Sequence, residues 1–209
     1  IVRMGSWALT RACADAKKWP DEIKVSVNLS AVQIECCDIY DVVMKALEKT
    51  GLPPDRLQLE ITETVLMRDH EQTQAVLKKL HSLGVTITLD DFGTCFATLN
   101  YLRSFPFKKI KLDRSFVRDI PEQHDCLAIV KSVGDLAREL NMRSVAEGVE
   151  TAASLAAVHA AGYDEAQGFY FSPPVPNRAV ERAMNQCKQR MAVLNTPATA
   201  KPKKLKSRG

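Results

Sequence analysis

The stretch Val85–Phe92, VTITLDDF, is an apolar, β-rich run that ends in two adjacent acids. It follows a helical stretch, Asp69–Leu83, and a glycine, Gly84, of the kind that ends helices. The same alternation of short β-rich runs with longer helical stretches continues in both directions along the chain. This alternation predicts repeated βα units around a parallel sheet.

Six strands are predicted in this way. They are Ile23–Ser30, Leu57–Glu63, Val85–Phe92, Phe107–Asp113, Arg143–Glu150 and Glu165–Phe171. The predicted helices are Gly5–Lys18, Asp38–Thr50, Asp69–Leu83, Ala97–Arg103, Cys126–Leu140, Thr151–Ala161 and Asn177–Gln189. Because a helix opens the chain, we predict an α/β fold, a TIM-like (β/α) barrel with six of its eight strands present and the first two missing. A doubly wound open sheet is the alternative, but no βα junction has its glycine-rich phosphate loop.

The length of 209 residues suits one barrel-type domain, which we assign to residues 1–190. A basic tail at residues 191–209 follows, and we expect it to be disordered. Its basic residues are Lys201, Lys203, Lys204, Lys206 and Arg208. Without these five, the formal charge falls from +4 to −1, so the sequence does not indicate a nucleic-acid polymer as partner. No stretch resembles a membrane span or a signal peptide, and we expect a cytoplasmic location.

Polar side chains recur at the C-terminal ends of the predicted strands. They are Asn28, Glu60, Glu63, Asp90, Asp91, Lys111, Asp113, Glu147 and Gln167. In a parallel barrel these ends converge on one mouth, where barrel enzymes place their active sites. Any one of these residues could instead cap a helix or pair at the surface. Their repetition on strand after strand favours one shared site.

These side chains suit a hard divalent cation. Carboxylate and amide oxygens bind magnesium, manganese or calcium, and the six cysteines show no zinc-ligand spacing. Acids gathered in one mouth would repel each other unless cations neutralise them. The adjacent Asp90 and Asp91 favour two ions side by side, an arrangement that clamps the attacking and leaving oxygens of a phosphodiester. Lys111 would then polarise the attacking water or offset charge on the phosphoryl group.

The sequence resembles the EAL family, bacterial phosphodiesterases that open cyclic di-GMP to the linear dinucleotide pGpG. The matching segments are VNLSAVQ (27–33), LQLEITET (57–64), TLDDFGT (88–94), KKIKLDRSFV (108–117), SVAEGVET (144–151) and DEAQGFYFSPPVP (164–176). They occur in the family's order over about residues 1–190. The resemblance implies cyclic di-GMP as substrate and Mg²⁺ or Mn²⁺ as cofactor, with two ions bound.

The resemblance also implies roles for individual residues. Asn28, Glu60, Asp90 and Asp91 correspond to metal ligands, with Asp90 shared between the two ions. Glu147 corresponds to a ligand of the second ion as well as a catalytic residue. These residues define the expected metal site.

The remaining motif residues correspond to catalytic and supporting positions. Lys111 and Glu147 match the residues that activate the attacking water. Gln167 and Asp113 are expected to bind the substrate or support the site. Glu63 matches a glutamate that steadies the loop after DDFG, which the family uses in substrate binding and dimer contact. A homodimer is therefore expected, and a sensor or diguanylate cyclase domain is compatible with a longer parent protein.

Two departures from the family pattern bear on activity. The Glu-Ala-Leu motif, whose glutamate is a metal ligand, should lie about 30 residues before Ile1, on one of the two missing strands, and is absent from this chain. Cys95 stands where the family usually has a glycine, so it either reshapes that loop or is a neutral variant. An incomplete ligand set and an incomplete barrel lead us to expect poor hydrolysis by this chain alone.

Two other functions stay open on the sequence alone. The first is an EAL-like module that binds cyclic di-GMP without cutting it and relays the signal to a partner; the missing glutamate and Cys95 favour it. The second is an unrelated metal-dependent barrel enzyme acting on a small carboxylate or a sugar phosphate. It would require the whole series of motifs to be a coincidence.

Overall fold

The computed structural model describes residues 1–67, 70–94, 102, 105–118, 120 and 124–194. Cys95 and, apart from Leu102, the predicted helix Ala97–Arg103 lie outside these residues, as does the chain from 195 onward. Residues 1–170 form one compact unit, and a second unit begins at Phe171. The fold described below is that of the first unit unless the second is named.

Within the described residues, six parallel strands form one sheet, and each strand pairs with the next one along the chain. They are β1 (Val25–Asn28), β2 (Leu57–Thr62), β3 (Thr86–Phe92), β4 (Lys109–Leu112), β5 (Arg143–Ala146) and β6 (Glu165–Ala166). Consecutive parallel neighbours with crossover connections form the wall of a (β/α) barrel. The predicted α/β fold is confirmed as a parallel half-barrel of six strands. The doubly wound alternative is wrong, because that fold requires the strand order to reverse.

Helices flank the strands and follow the predicted alternation. In the first unit they are Val2–Ala16, Ala31–Cys36, Ile39–Thr50, Glu63–Met67, His70–Ser82, Arg114–Arg118, His124–Glu139 and Ala152–Ala160. Three of them, Ala31–Cys36, Glu63–Met67 and Arg114–Arg118, were not predicted. They have only five or six residues, which is too short to show a helical apolar period.

The second unit contains a 3₁₀ turn at Asn177–Ala179 and the helix Val180–Leu194. The predicted tail was placed from residue 191 onward, so its first four residues are helical instead of disordered. None of the helices in the described ranges combines the length and the apolar character that a bilayer crossing requires.

Alternation along the strands gives the sheet an apolar face and a polar face. On β2 and β3, Leu59, Ile61, Ile87 and Leu89 are fully buried and alternate with polar or acidic residues. The helices contribute buried apolar side chains of their own, such as those of Val43 and Leu77. The core therefore lies on the apolar face, and the polar face is left to line the interior of the half-barrel.

A buried arginine joins the end of the first helix to the start of β2. Arg56 is only 3% exposed, and its guanidinium group donates hydrogen bonds to four backbone carbonyls. The acceptors are the carbonyl oxygens of Ala16, Trp19, Pro20 and Ile23, at 2.8 to 3.3 Å. Ala16 ends the helix Val2–Ala16 and the other three acceptors follow it, so Arg56 fixes the chain after this helix to the start of β2.

Replacing Arg56 with methionine is expected to lower the free energy of unfolding by about 3 kcal/mol, since four carbonyls each lose a hydrogen bond from the buried guanidinium group. Urea denaturation measures the loss. The matched control is Asp21→Asn, because Asp21 pairs with the same guanidinium group at 3.0 Å but its side chain is 96% exposed. That control should cost less than about 1 kcal/mol. Equal losses from the two variants would show that the carbonyl contacts of Arg56 are unimportant.

Candidate metal centre

Lys111 lies at the centre of a cluster of acids at the C-terminal ends of the strands. Its Nζ is 3.0 Å from Oε2 of Glu60, 2.9 Å from Oδ1 of Asp90 and 2.5 Å from Oε1 of Glu147. Glu60 lies on β2, Asp90 on β3 and Lys111 on β4, whereas Glu147 immediately follows β5. The four side chains are at most 15% exposed. The ends of four neighbouring strands therefore converge at one mouth.

The two adjacent acids of β3 reach the same cluster because the strand is irregular there. A regular strand would direct neighbouring side chains to opposite faces. The pairing of β3 with β4 shifts between Leu89 and Phe92, and Asp91 has a φ of 52°, a left-handed conformation that aspartate tolerates better than most residues. As a result, carboxylate oxygens of Asp90, Asp91 and Glu147 all lie within 4.8 Å of one another.

Burial and mutual charge govern the protonation of the cluster. Burial alone would lower the pKa of Lys111, but the neighbouring carboxylates of Glu60, Glu147 and Asp90 outweigh it and raise that pKa above its ordinary value. Burial raises the pKa of Glu147, although the Lys111 ammonium opposes the shift. Burial, followed by the charge of Asp90, also raises the pKa of Asp91. Lys111 is therefore a fixed positive charge among acids that are crowded together.

The composition of the cluster fits a hard divalent cation. With all groups ionised, four carboxylates around one ammonium leave three negative charges without a compensating cation. The donor atoms of Glu60, Asp90, Asp91 and Glu147 are all oxygens, the type that magnesium, manganese and calcium prefer. Excess buried charge of this kind is stabilised when a cation binds.

Asn28 and Gln167 lie at the same edge of the sheet as the cluster. Asn28 ends β1 and is opposite Glu60 in the pairing of β1 with β2. Gln167 follows β6, and its backbone N–H donates to the carbonyl oxygen of Ala146 at 2.8 Å. Both residues are exposed. The pairing of the strands therefore places both residues at the edge of the sheet that carries the cluster, at the exposed rim of the mouth.

Asp113 has a local partner just beyond β4. Its Oδ1 accepts a hydrogen bond of 2.9 Å from the backbone N–H of Ser115, at the start of the helix Arg114–Arg118. Burial opposes the charge of Asp113, but the hydrogen bonds from Ser115 outweigh it and lower the pKa of this carboxyl group. Asp113 thus supports the helix that follows β4, and its expected role toward the substrate stays a prediction.

Glu63 holds the loop that follows β3. It is buried, and its Oε1 accepts a hydrogen bond of 3.3 Å from the backbone N–H of Gly93. Gly93 has a φ of 99°, and a Cβ atom there would lie 2.8 Å from a ring carbon of Phe116. This contact lies two residues beyond Asp91, and the expected role of Glu63 in steadying the loop stays a prediction.

Replacing Glu63 with methionine is expected to weaken Mn²⁺ binding about tenfold, because the loop next to Asp91 loses a buried hydrogen-bond acceptor. Residues that hydrogen-bond to the metal ligands or hold their loops typically change metal affinity by about that factor. Isothermal titration calorimetry measures the affinity. The matched control is Glu63→Gln, which keeps an acceptor oxygen and should retain most of the affinity. Unchanged Mn²⁺ affinity in Glu63→Met would show that Glu63 does not support the metal site.

Gly168, which the sequence did not single out, allows a close approach of two segments at the mouth. A Cβ atom at this position would lie 2.1 Å from the backbone oxygen of Val149. Only a glycine therefore allows the segment after β6 to approach the segment after β5 so closely. The sequence did hint at this contact, because Gly168 directly follows Gln167, and Gln167 was already assigned to the site.

A parallel half-barrel with an all-oxygen acidic cluster at its strand ends has the architecture of metal-dependent (β/α)-barrel proteins. The family model described as "EAL domain" matches residues 1–174. The chain therefore belongs to the EAL domain family. The expected resemblance is confirmed over more than four-fifths of its length.

Known relatives agree with this assignment. The chain is 38% identical over 180 residues to the bifunctional diguanylate cyclase/cyclic di-GMP phosphodiesterase MucR of Pseudomonas aeruginosa, covering 84% of this chain and 26% of that protein. A solved "PaMucR Phosphodiesterase, c-di-GMP complex" is 37% identical with a TM-score of 0.82, covering 86% of this chain and 74% of that one. A manganese/cy-diGMP complex of Klebsiella pneumoniae BlrP1 is 34% identical with a TM-score of 0.78, covering 84% of this chain and 45% of that one. The chain thus spans only about a quarter of the length of MucR.

Proposed function

We propose that this chain carries the catalytic centre of a metal-dependent phosphodiesterase that hydrolyses cyclic di-GMP to linear pGpG. The observation that carries the proposal is the contact of one buried lysine, Lys111, with three carboxylates from three other strand ends. The family match supports the substrate, because the MucR structure is a complex with c-di-GMP. The BlrP1 complex, which contains manganese as well as cyclic di-GMP, supports the cofactor class.

Divalent ions, Mg²⁺ or Mn²⁺, would supply Lewis acidity and charge neutralisation at this centre. Glu60, Asp90 and Asp91 have the oxygens and the positions to hold them, with Asn28 at the rim and a carboxylate oxygen of Glu147 within 4.8 Å of those of Asp90 and Asp91. The adjacency of Asp90 and Asp91 in the sequence supports a pair of ions, and Asp90 would then be a ligand of both.

Lys111 and Glu147 are assigned to the chemical step. The buried ammonium of Lys111 offsets negative charge that develops on the attacking water and on the phosphoryl group. Glu147 carries a carboxylate within hydrogen-bonding distance of that ammonium, and it accepts the proton that the attacking water releases. Gln167 at the rim contacts the nucleotide, whereas Asp113 and Glu63 support the loops around the mouth.

The parent protein is expected to contain further domains, since MucR combines cyclase and phosphodiesterase activities in a much longer chain. A sensor or diguanylate cyclase domain upstream, a homodimer and a cytoplasmic location are consistent with this proposal. The loop held by Glu63 is the proposed dimer contact.

The proposal is tested by chromatography of nucleotides after incubation with cyclic di-GMP. The assay compares this chain with a longer protein that includes an upstream Glu-Ala-Leu segment, each with Mn²⁺ and with EDTA. We expect pGpG from the longer protein in Mn²⁺, little from this chain, and none in EDTA. A sugar phosphate serves as an alternative substrate. Its hydrolysis in place of cyclic di-GMP would overturn the proposal.

Binding without hydrolysis is the second candidate function. It is favoured by one sequence feature, the replacement of the usual loop glycine by Cys95. Tight binding of cyclic di-GMP by the longer protein, with no pGpG formed in Mn²⁺, would establish this function instead.

A further inference from the structure

A second set of polar side chains lies one layer deeper in the half-barrel than the metal centre. We call it the lower polar layer, and its members are Ser26, Gln58, Lys109 and Glu165. Each member precedes a site residue by two positions. The pairs are Ser26 with Asn28, Gln58 with Glu60, Lys109 with Lys111, and Glu165 with Gln167. Because residues two apart on a strand share a face, the layer faces the same interior as the site above it.

The members of the lower polar layer bond to one another across the sheet. Lys109 Nζ lies 2.7 Å from Glu165 Oε2 and donates a second, longer hydrogen bond of 3.4 Å to Gln58 Oε1. The same Gln58 oxygen accepts a hydrogen bond of 3.1 Å from Ser26 Oγ. This network connects β1, β2, β4 and β6 through side chains alone.

The Lys109–Glu165 contact bridges strands that are not neighbours in the sheet. It passes over β5 to join β4 to β6, and the Lys109 side chain is only 13% exposed. In contrast, β6 has two residues and pairs with β5 at only two positions, Val145 with Glu165 and Ala146 with Ala166. So short a ladder constrains the strand weakly, and a partly buried ion pair adds a constraint.

We propose that Lys109 and Glu165 are positioning residues, whose ion pair fixes β6 against β4 and so sets the separation of Gln167 and Lys111 at the mouth. Each partner lies two residues from the site residue that it places. The consequence for turnover rests on the proposed phosphodiesterase function. The effect on the backbone, which is slower amide exchange at Gln167, does not depend on that function.

Amide hydrogen exchange of this chain tests the mechanical part without any ligand. In Glu165→Gln and in Lys109→Met, the Gln167 amide, which donates to Ala146, should exchange about tenfold faster while the amides of β2 are unchanged. Arg143→Met is the matched control, because Arg143 contacts Glu165 at 3.4 Å but is 61% exposed. It should leave exchange at Gln167 unaltered. The charge swap Lys109→Glu with Glu165→Lys should restore slow exchange.

A double-mutant cycle tests the functional part in the longer protein that contains the Glu-Ala-Leu segment. If Glu165 acts through Gln167, then Glu165→Gln and Gln167→Ala should each raise KM or lower kcat for cyclic di-GMP, and together they should do little more than either alone. Three results would overturn the proposal. The first is unchanged exchange at the Gln167 amide in both Glu165→Gln and Lys109→Met, and the second is uniformly faster exchange throughout the sheet. The third is a kinetic loss in the double variant that equals the sum of the two single losses. If no protein forms pGpG, the phosphodiesterase function fails but the exchange result still decides whether the pair positions Gln167.

Discussion

Replacement of Lys111 with methionine is expected to lower kcat for cyclic di-GMP hydrolysis by about a hundredfold to a thousandfold, with nucleotide affinity largely intact. The reason is that its ammonium is buried among three carboxylates and offsets charge that develops only as the phosphodiester reacts. Steady-state kinetics on the longer, Glu-Ala-Leu-containing protein give kcat, and equilibrium binding gives the affinity.

The matched control for this experiment is Lys108→Met. Lys108 has the same charge and precedes β4, but its side chain is exposed. Its replacement should leave both kcat and affinity unchanged. If Lys111→Met reduced rate and affinity by the same factor, Lys111 would belong to substrate binding and its assigned role in the chemical step would be wrong.

The second large effect is expected from Asp90→Asn, which should weaken Mn²⁺ binding by at least about tenfold to a hundredfold and reduce turnover to near background. Asp90 is buried, contacts Lys111 and lies within 4.8 Å of the Asp91 and Glu147 carboxylates. An amide at this position is nearly the same size but carries no charge. Calorimetry measures Mn²⁺ affinity, and chromatography measures pGpG.

The stability of the metal-free Asp90→Asn protein distinguishes a functional role from a structural one. Because removing one charge relieves repulsion in the cluster, the free energy of unfolding should stay the same or rise. Asp135→Asn is the control, since Asp135 is exposed and pairs with Arg138 on the same helix. A loss of stability in Asp90→Asn together with unchanged Mn²⁺ affinity would mean that Asp90 is a structural acid.

The strands and the site were predictable where the relevant pattern is local. Val85–Phe92 illustrates this, since an apolar run that ends in two acids identifies both a buried strand and a candidate ligand pair. The structure keeps this strand at Thr86–Phe92 and places both acids in the cluster. The left-handed φ of Asp91, which lets both acids face the mouth, was not predictable, because the pairing of β3 with β4 imposes it.

Predictions were weakest where long-range contacts or turns decide the structure. The strand predicted at Arg143–Glu150 ends at Ala146, because Gly148, with a φ of 70°, turns the chain out of the extended conformation. The Lys109–Glu165 pair joins residues 56 positions apart, so no periodicity in the sequence indicates it. Arg56 likewise contacts carbonyls 33 to 40 residues earlier. The pattern indicates which residues face the interior, but the curvature of the sheet decides which of them touch.

These strand ends are proposed to form a metal centre that holds the phosphodiester of cyclic di-GMP. Anomalous diffraction from crystals of the longer protein grown with Mn²⁺ and cyclic di-GMP tests it most directly. We expect an anomalous peak about 2.0–2.6 Å from carboxylate oxygens of Asp90 and Asp91, with a phosphate oxygen of the nucleotide in the same coordination sphere. An anomalous peak elsewhere, or a nucleotide bound away from Asp90 and Lys111, would contradict the account.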